Sequence, residues 1–170
     1  MKTLSSLIVL LITFWFSMTA QQTTFKNEFL KKWSNIINYT IEVAEKMPMD
    51  KYSFRPNTEI RTFGEQIEHL AMAMTYHSKS AIDVEHSKFK GDTNSKEEVL
   101  DYLKSQFNAV KIALKNTDES KFEESVSFWA GRMTRRKILN LTNDHITHHR
   151  AQAILYLRLN KIKAPDYIAW

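Results

Sequence analysis

Six histidines occur in the chain, and three of them, His145, His148 and His149, stand within five consecutive residues. At ~100° per residue in an α-helix, His145 and His149 project within ~40° of each other, one turn apart. Ile138, Thr142, Gln152 and Tyr156 fall on the same stripe, so the face carrying this pair is the mostly apolar face that a helix bundle buries. A buried polar ring without a partner costs about 1–3 kcal/mol. The two imidazoles therefore need a hydrogen-bond partner each, or one shared metal ion. His148 is turned ~80° from the mean direction of its neighbours and reads as a flanking residue.

These histidines require a long helix over residues 135–160, with Thr134 as its cap. Arg135 and Arg136 in its first turn oppose the helix dipole by about 0.3–1 kcal/mol each, so acids elsewhere are expected to pair with them. Asn160, which tolerates the left-handed conformation, and then Pro165 end the helix. Upstream, Phe29, Trp33, Ile36, Ile37, Thr40, Val43 and Met47 recur at three and four, which predicts a first helix over 24–47 closed by Pro48. A long connection without a period follows. Thr62 and Glu65 form a capping box for a second helix whose inner stripe is Ile67, Leu70, Met74, His77 and Ala81. Ser95 and Glu98 repeat the box for a third helix ending near Asn116. Residues 117–134 suit a short helical turn, an extended connection or a small hairpin.

Four helices with one long connection make an all-α four-helix bundle, an architecture that builds metal sites from side chains on facing helices. His69 lies on the shoulder of the second helix, ~115° from its stripe, where it can face a neighbour. With His145 and His149 it fits such a site, and three neutral imidazoles leave an ion with open positions, as in catalytic zinc. His77 reads as a packed core histidine and His86 as solvated. Glu65 is explained by its capping role, Asp144 reads as solvated, Gln152 and Tyr156 as packing, and Trp129 and the methionines as core or cavity lining.

Residues 1–20 carry one Lys, an apolar run at 7–16 and no acid, the pattern of a secretory signal peptide. The run is too short for a comfortable membrane span. Its removal leaves one domain, residues 21–170, large enough to bury a core, and takes one positive charge from the formal +5. The expected location is secreted or periplasmic, with no membrane attachment after cleavage. The remaining charge is dispersed and argues against nucleic acid. With no Cys, disulfides, thiolate ligands and thiol nucleophiles are excluded. Three Gly and three Pro in 170 residues favour long helices.

The run RTFGEQIEHLA around His69 and the ending HITHHRAQAILYLRLNKIKAPDY resemble the DinB-like family of metal-binding four-helix bundles over essentially the whole mature chain. Ala151 stands where the family's HRGQ run has Gly, and Asn160 where a Gly commonly ends the helix. The resemblance implies an up-down-down-up bundle, often dimeric, with a divalent metal held by His69, His145 and His149. It also implies metal-dependent chemistry of the kind known in the family, thiol transferases and a maleylpyruvate isomerase among them. The expected cofactor is a divalent ion, zinc or nickel, and the expected partners are a small-molecule substrate or ligand and a second copy of the chain. Two functions follow: a metal-dependent hydrolase or group-transfer enzyme, or a protein that holds metal or a small ligand without turnover. No catalytic acid or base is assigned.

Overall fold

The computed structural model describes residues 23–168; the expected signal peptide lies outside them. Four helices carry the chain: α1 (Phe25–Lys46), α2 (Phe63–Ile82), α3 (Lys96–Asn116) and α4 (Arg135–Leu159). Each begins on a hydroxyl side chain, Thr24, Thr62, Ser95 and Thr134, that accepts a backbone N–H three residues on. Only Thr62 completes its box, with the Glu65 carboxylate accepting from the Thr62 N–H at 2.7 Å. The expected reciprocal bond at Ser95 is not made, because Glu98 turns to accept from the Asp92 N–H at 3.0 Å. Thus one three-residue spacing gives a full box and the other a single cap.

Cross-helix contacts fix the helix directions. Lys26 reaches the Thr117 carbonyl, Trp33 packs on Phe107 and Lys104 pairs with Glu45, so α1 and α3 are antiparallel. Thr40 meets Arg150, and Phe25 lies under Arg136, so α1 and α4 run parallel. Gln66 meets Gln152 and His77 meets His145, so α2 and α4 are antiparallel. The order is up-down-down-up.

Since α2 and α3 point the same way, the chain between them must return along the bundle. Residues 83–95 do this beside α2: His86 Nδ1 lies 3.1 Å from Thr75 Oγ1, and the Thr93 carbonyl lies against Gly64. This second long connection, absent from the sequence reading, partly buries His86, which is therefore not the solvated residue expected. The earlier connection, 47–62, is pinned by Tyr52, whose hydroxyl donates to the Ala44 carbonyl at 2.9 Å.

Residues 117–134 form a 3-10 helix, Glu119–Glu123, and a hairpin pairing β1 (Ser125–Val126) with β2 (Met133–Thr134). Arg135 reaches Asp83 and Glu124, and Arg136 reaches Glu123, supplying the acids their position demands. At the far end of α4 the left-handed residue is Lys161, not Asn160, whose φ is −90°. The Asn160 amide instead donates to the Tyr156 carbonyl, so its side chain closes the helix without the left-handed turn. Phe29, Trp33 and Phe107 pack in the core, whereas Trp129 and Met49 are exposed, against expectation. The β1–β2 hairpin holds Trp129 in its connecting loop, and Met49 lies in the short 3-10 turn after α1, so neither is carried by a core-facing helix stripe.

Gly64 is the close point of the returning segment. A Cβ there would lie 1.8 Å from the Thr93 carbonyl oxygen, a backbone atom that cannot rotate away. Gly64→Ala is expected to destabilise the fold by about 3 kcal/mol, read as a fall in melting temperature of about 6–12 °C; an unchanged melting temperature would show that residues 83–95 do not press on α2.

Candidate metal centre

The antiparallel packing of α2 on α4 brings His69 against His145 and His149. Ring centroids lie 4.6 Å apart for His69 and His149, 5.5 Å for His69 and His145, and 4.4 Å for the α4 pair. One nitrogen from each ring can be chosen so that all three lie within 4.8 Å of one another. The His145 and His149 Nε2 atoms are 3.2 Å apart. Two nitrogens bound at ~2.0–2.1 Å to one tetrahedral ion would be about 3.3 Å apart. The separation fits an ion, and it also fits one N–H···N hydrogen bond, which would satisfy two rings and leave the third.

His149 is buried, and His69 and His145 are half-buried. Burial, then the Arg61 charge and His145, lower the pKa of His69 to about 4. Burial foremost, then His145, His69, His148 and Arg61, lower that of His149 to about 3. His145 is lowered by burial, His148 and Arg61. At neutral pH these rings are uncharged, the state in which an imidazole nitrogen can bind a metal.

Gln66, one turn before His69, was not singled out in the sequence, although residues three apart share a helix face. It is buried, and its amide nitrogen lies 2.6 Å from His149 Nδ1. It also meets the Gln152 amide, whose nitrogen is 3.0 Å from His148 Nε2. When Gln66 donates to Nδ1, the His149 proton sits on Nε2. For Nε2 to take an ion, Nδ1 must donate instead, and the amide must present its oxygen, an isosteric turn of the group. Gln152 is thus a hydrogen-bonding residue as well as a packed one.

His77 is buried as expected, but its ring is 5.0 Å from that of His145 and faces Phe128 and Trp129. Its Nδ1 and that of His145 are buried without a partner among the described residues. Burial, then His145 and His69, lower its pKa to about 4. Exposed His148 flanks the group, with its ring 4.9 Å from that of His149. Asp144 is exposed. Glu65 is committed to the Thr62 N–H and lies 3.8 Å from Arg55, and Tyr156 donates to the Arg61 carbonyl at 2.9 Å.

Residues 18–160 match the model of the DinB family. The uncharacterised protein YjoA of Bacillus subtilis (strain 168) is 23% identical over 136 residues, covering 78% of this chain and 88% of that protein. Among solved structures, a DinB-like protein from Bacillus cereus ATCC 10987 superposes with a TM-score of 0.72 at 20% identity, covering 85% of this chain and 98% of the other. The YjoA structure gives 0.70 at 19% identity, covering 83% and 98%. At these identities the superpositions establish a shared fold.

The low histidine pKa values set a pH dependence for the metal-free protein. An unfolded histidine titrates near 6.5, so between that value and about 4 the unfolded chain binds protons that folded His69, His77 and His149 do not. Stability is full above pH 6.5 and is lost as pH falls toward 4. Thermal melts of chelator-treated protein at pH 7.5 and 5 are expected to show a lower midpoint at pH 5, and replacing His149 with Gln should flatten the difference.

Proposed function

Because the chain belongs to the DinB family, we propose that it is an exported metalloprotein whose His69, His145 and His149 hold one divalent ion, zinc or nickel, and that it acts as a metal-dependent hydrolase or group-transfer enzyme. The observation that carries the proposal is the convergence of three imidazole nitrogens from two helices at separations that suit one ion. A divalent ion there would supply Lewis acidity toward a substrate oxygen or water.

The protein's own contribution is preparatory. Burial keeps the three rings neutral. Gln66 holds the His149 ring from behind and selects which of its nitrogens carries the proton. Three protein ligands leave open positions for a small molecule.

Glu65 favours a second reading, in which the ion or a small ligand is held without turnover. It is the acid one turn before His69, and its carboxylate is already used on the helix cap. A screen of esters, amides, phosphates and thiol adducts separates the two, since uniformly absent metal-dependent turnover selects binding.

Replacing His69, His145 or His149 with Ala is expected to remove most bound metal. His77→Ala, His86→Ala and His148→Ala should retain about one ion per chain. Mass spectrometry of metal content, with circular dichroism to exclude unfolding, reads the result. Gln66→Leu should weaken affinity about 10–100-fold while leaving the helix content intact. Loss of the ion from His148→Ala with retention in His149→Ala would reject this ligand set.

Export rests on the apolar run at 7–16 followed by small and polar residues. No helix among the described residues is long and apolar enough to cross a membrane. Dimerisation rests on the family resemblance and on exposed apolar side chains such as Ile112. Native protein is expected to begin near Gln21 by intact mass and to scatter light as a dimer at micromolar concentration; a cytoplasmic chain starting at Met1, or a monomer mass throughout, would reject the corresponding part.

A further inference from the structure

A cleft of about 620 Å³ opens between the connection that precedes α2 and the C-terminal half of α4; none of the histidines lines it. One end is formed by Gln66 and Gln152, the amides that stand behind His149. Ile60, Leu155 and Leu159 form its apolar wall, and these side chains are 39%, 51% and 53% exposed. Apolar side chains left in water next to a polar site are characteristic of ligand clefts. Arg61 supplies the charge.

Arg61 enters this cleft on the residue that precedes the Thr62 cap. Its backbone is fixed by the Tyr156 hydroxyl on its carbonyl. Its guanidinium makes no ion pair among the described residues, whereas Arg55, Arg135 and Arg136 each have a carboxylate within reach. Glu59 also lines the cleft, and Glu68 feels the Arg61 charge, but neither carboxylate forms an ion pair with it. Glu65, the nearest capping acid, is bound to the Thr62 N–H and lies by Arg55. The Arg61 charge nevertheless reaches the centre: after burial it is the largest influence on His69, and it also depresses His145 and His149. An unpaired planar cation at the mouth of a site is suited to a carboxylate, which it can bind through two parallel hydrogen bonds.

We propose that this cleft binds an apolar carboxylic acid, with its carboxylate on Arg61 and its hydrocarbon body along Ile60, Leu155 and Leu159. The cleft meets His149 on its Nδ1 side, through Gln66, so the proposal goes beyond the reading of the three histidines and names the molecule held behind them. The arrangement selects against neutral analogues, which would leave the guanidinium without a hydrogen-bonded carboxylate, and against short acids, which would leave the leucines in water.

Calorimetry with octanoate, octanamide and acetate as probes tests the assignment on the full-length mature protein, with metal content measured on the same samples. Octanoate is expected to bind at least about tenfold more tightly than either of the others. Arg61→Gln should abolish the preference for octanoate over octanamide while leaving metal content unchanged. Leu155→Ser should reduce the preference for octanoate over acetate. His145→Ala, which is expected to lack the ion, should keep the octanoate preference, because Arg61 and the leucines are untouched. If the preference survives Arg61→Gln and disappears in His145→Ala, the ion reads the carboxylate and the proposal fails. Equal binding of octanoate and octanamide to wild-type protein also overturns it. Wild-type protein without metal but with the octanoate preference would instead reject the metal reading and leave the acid-binding cleft standing.

Discussion

The antiparallel seam between α2 and α4 is the contact on which the histidine cluster depends. Along it Phe63 lies by Tyr156, Gln66 by Gln152, His69 by His149 and His77 by His145. A slip of one helical turn, about 5.4 Å, exceeds the 4.8 Å that contains the three nitrogens. The register is held by features remote from the imidazoles. Phe63 and Tyr52 pack edge to face, and the Gly64 and Phe63 backbone N–H groups donate to Tyr52 and Phe54. The start of α2 is thereby tied to the long connection before it, and Gly64 lets the returning segment press against its other side.

The same seam carries an electrostatic conflict. Four imidazoles, His69, His77, His145 and His149, occupy a small space in which adding a proton to any one raises the cost of adding another. Lowered pKa values resolve the conflict near neutral pH by keeping the rings uncharged, but neutrality does not satisfy their nitrogens. His145 and His77 still bury Nδ1 atoms without a protein partner. A core optimised only for packing would replace such rings with leucines. An ion on Nε2 of His145 would leave both Nδ1 atoms unpaired, so the physical ground for treating this region as functional is the convergence of three neutral imidazoles on one point.

Much of this was legible because helix geometry converts spacing into direction. His145 and His149 share a face, Thr62 with Glu65 marks a helix start, and the inner stripe Ile67, Leu70, Met74, His77 and Ala81 is buried throughout. What was not legible depends on the partner helix or on the path of a loop. His77 is packed, as its place on the stripe implies, but nothing in its own helix says that His145 lies opposite. His86 looked solvated because only the parallel arrangement of α2 and α3 forces its segment back along the bundle. Ser95 and Glu98 match the capping-box spacing, yet Glu98 is recruited by Asp92, a competitor that the four-residue pattern does not include. Residue type alone reads Trp129 as core or cavity lining, but the β1–β2 hairpin carries it to a tip beside His77, where only part of its ring is covered.

The amides behind His149 extend this dependence on partners to the position of a proton. Gln66 contacts both His149 Nδ1 and the Gln152 oxygen, so turning the Gln66 amide places two oxygens face to face unless Gln152 turns as well. Once Gln152 turns, its oxygen faces His148 Nε2, which must then donate rather than accept. The proton on buried His149 is thereby coupled, through two isosteric amide turns, to the proton on exposed His148. No backbone movement is required. A ring that flanks the centre without reaching it is linked, through Gln152 and Gln66, to which nitrogen of His149 is free.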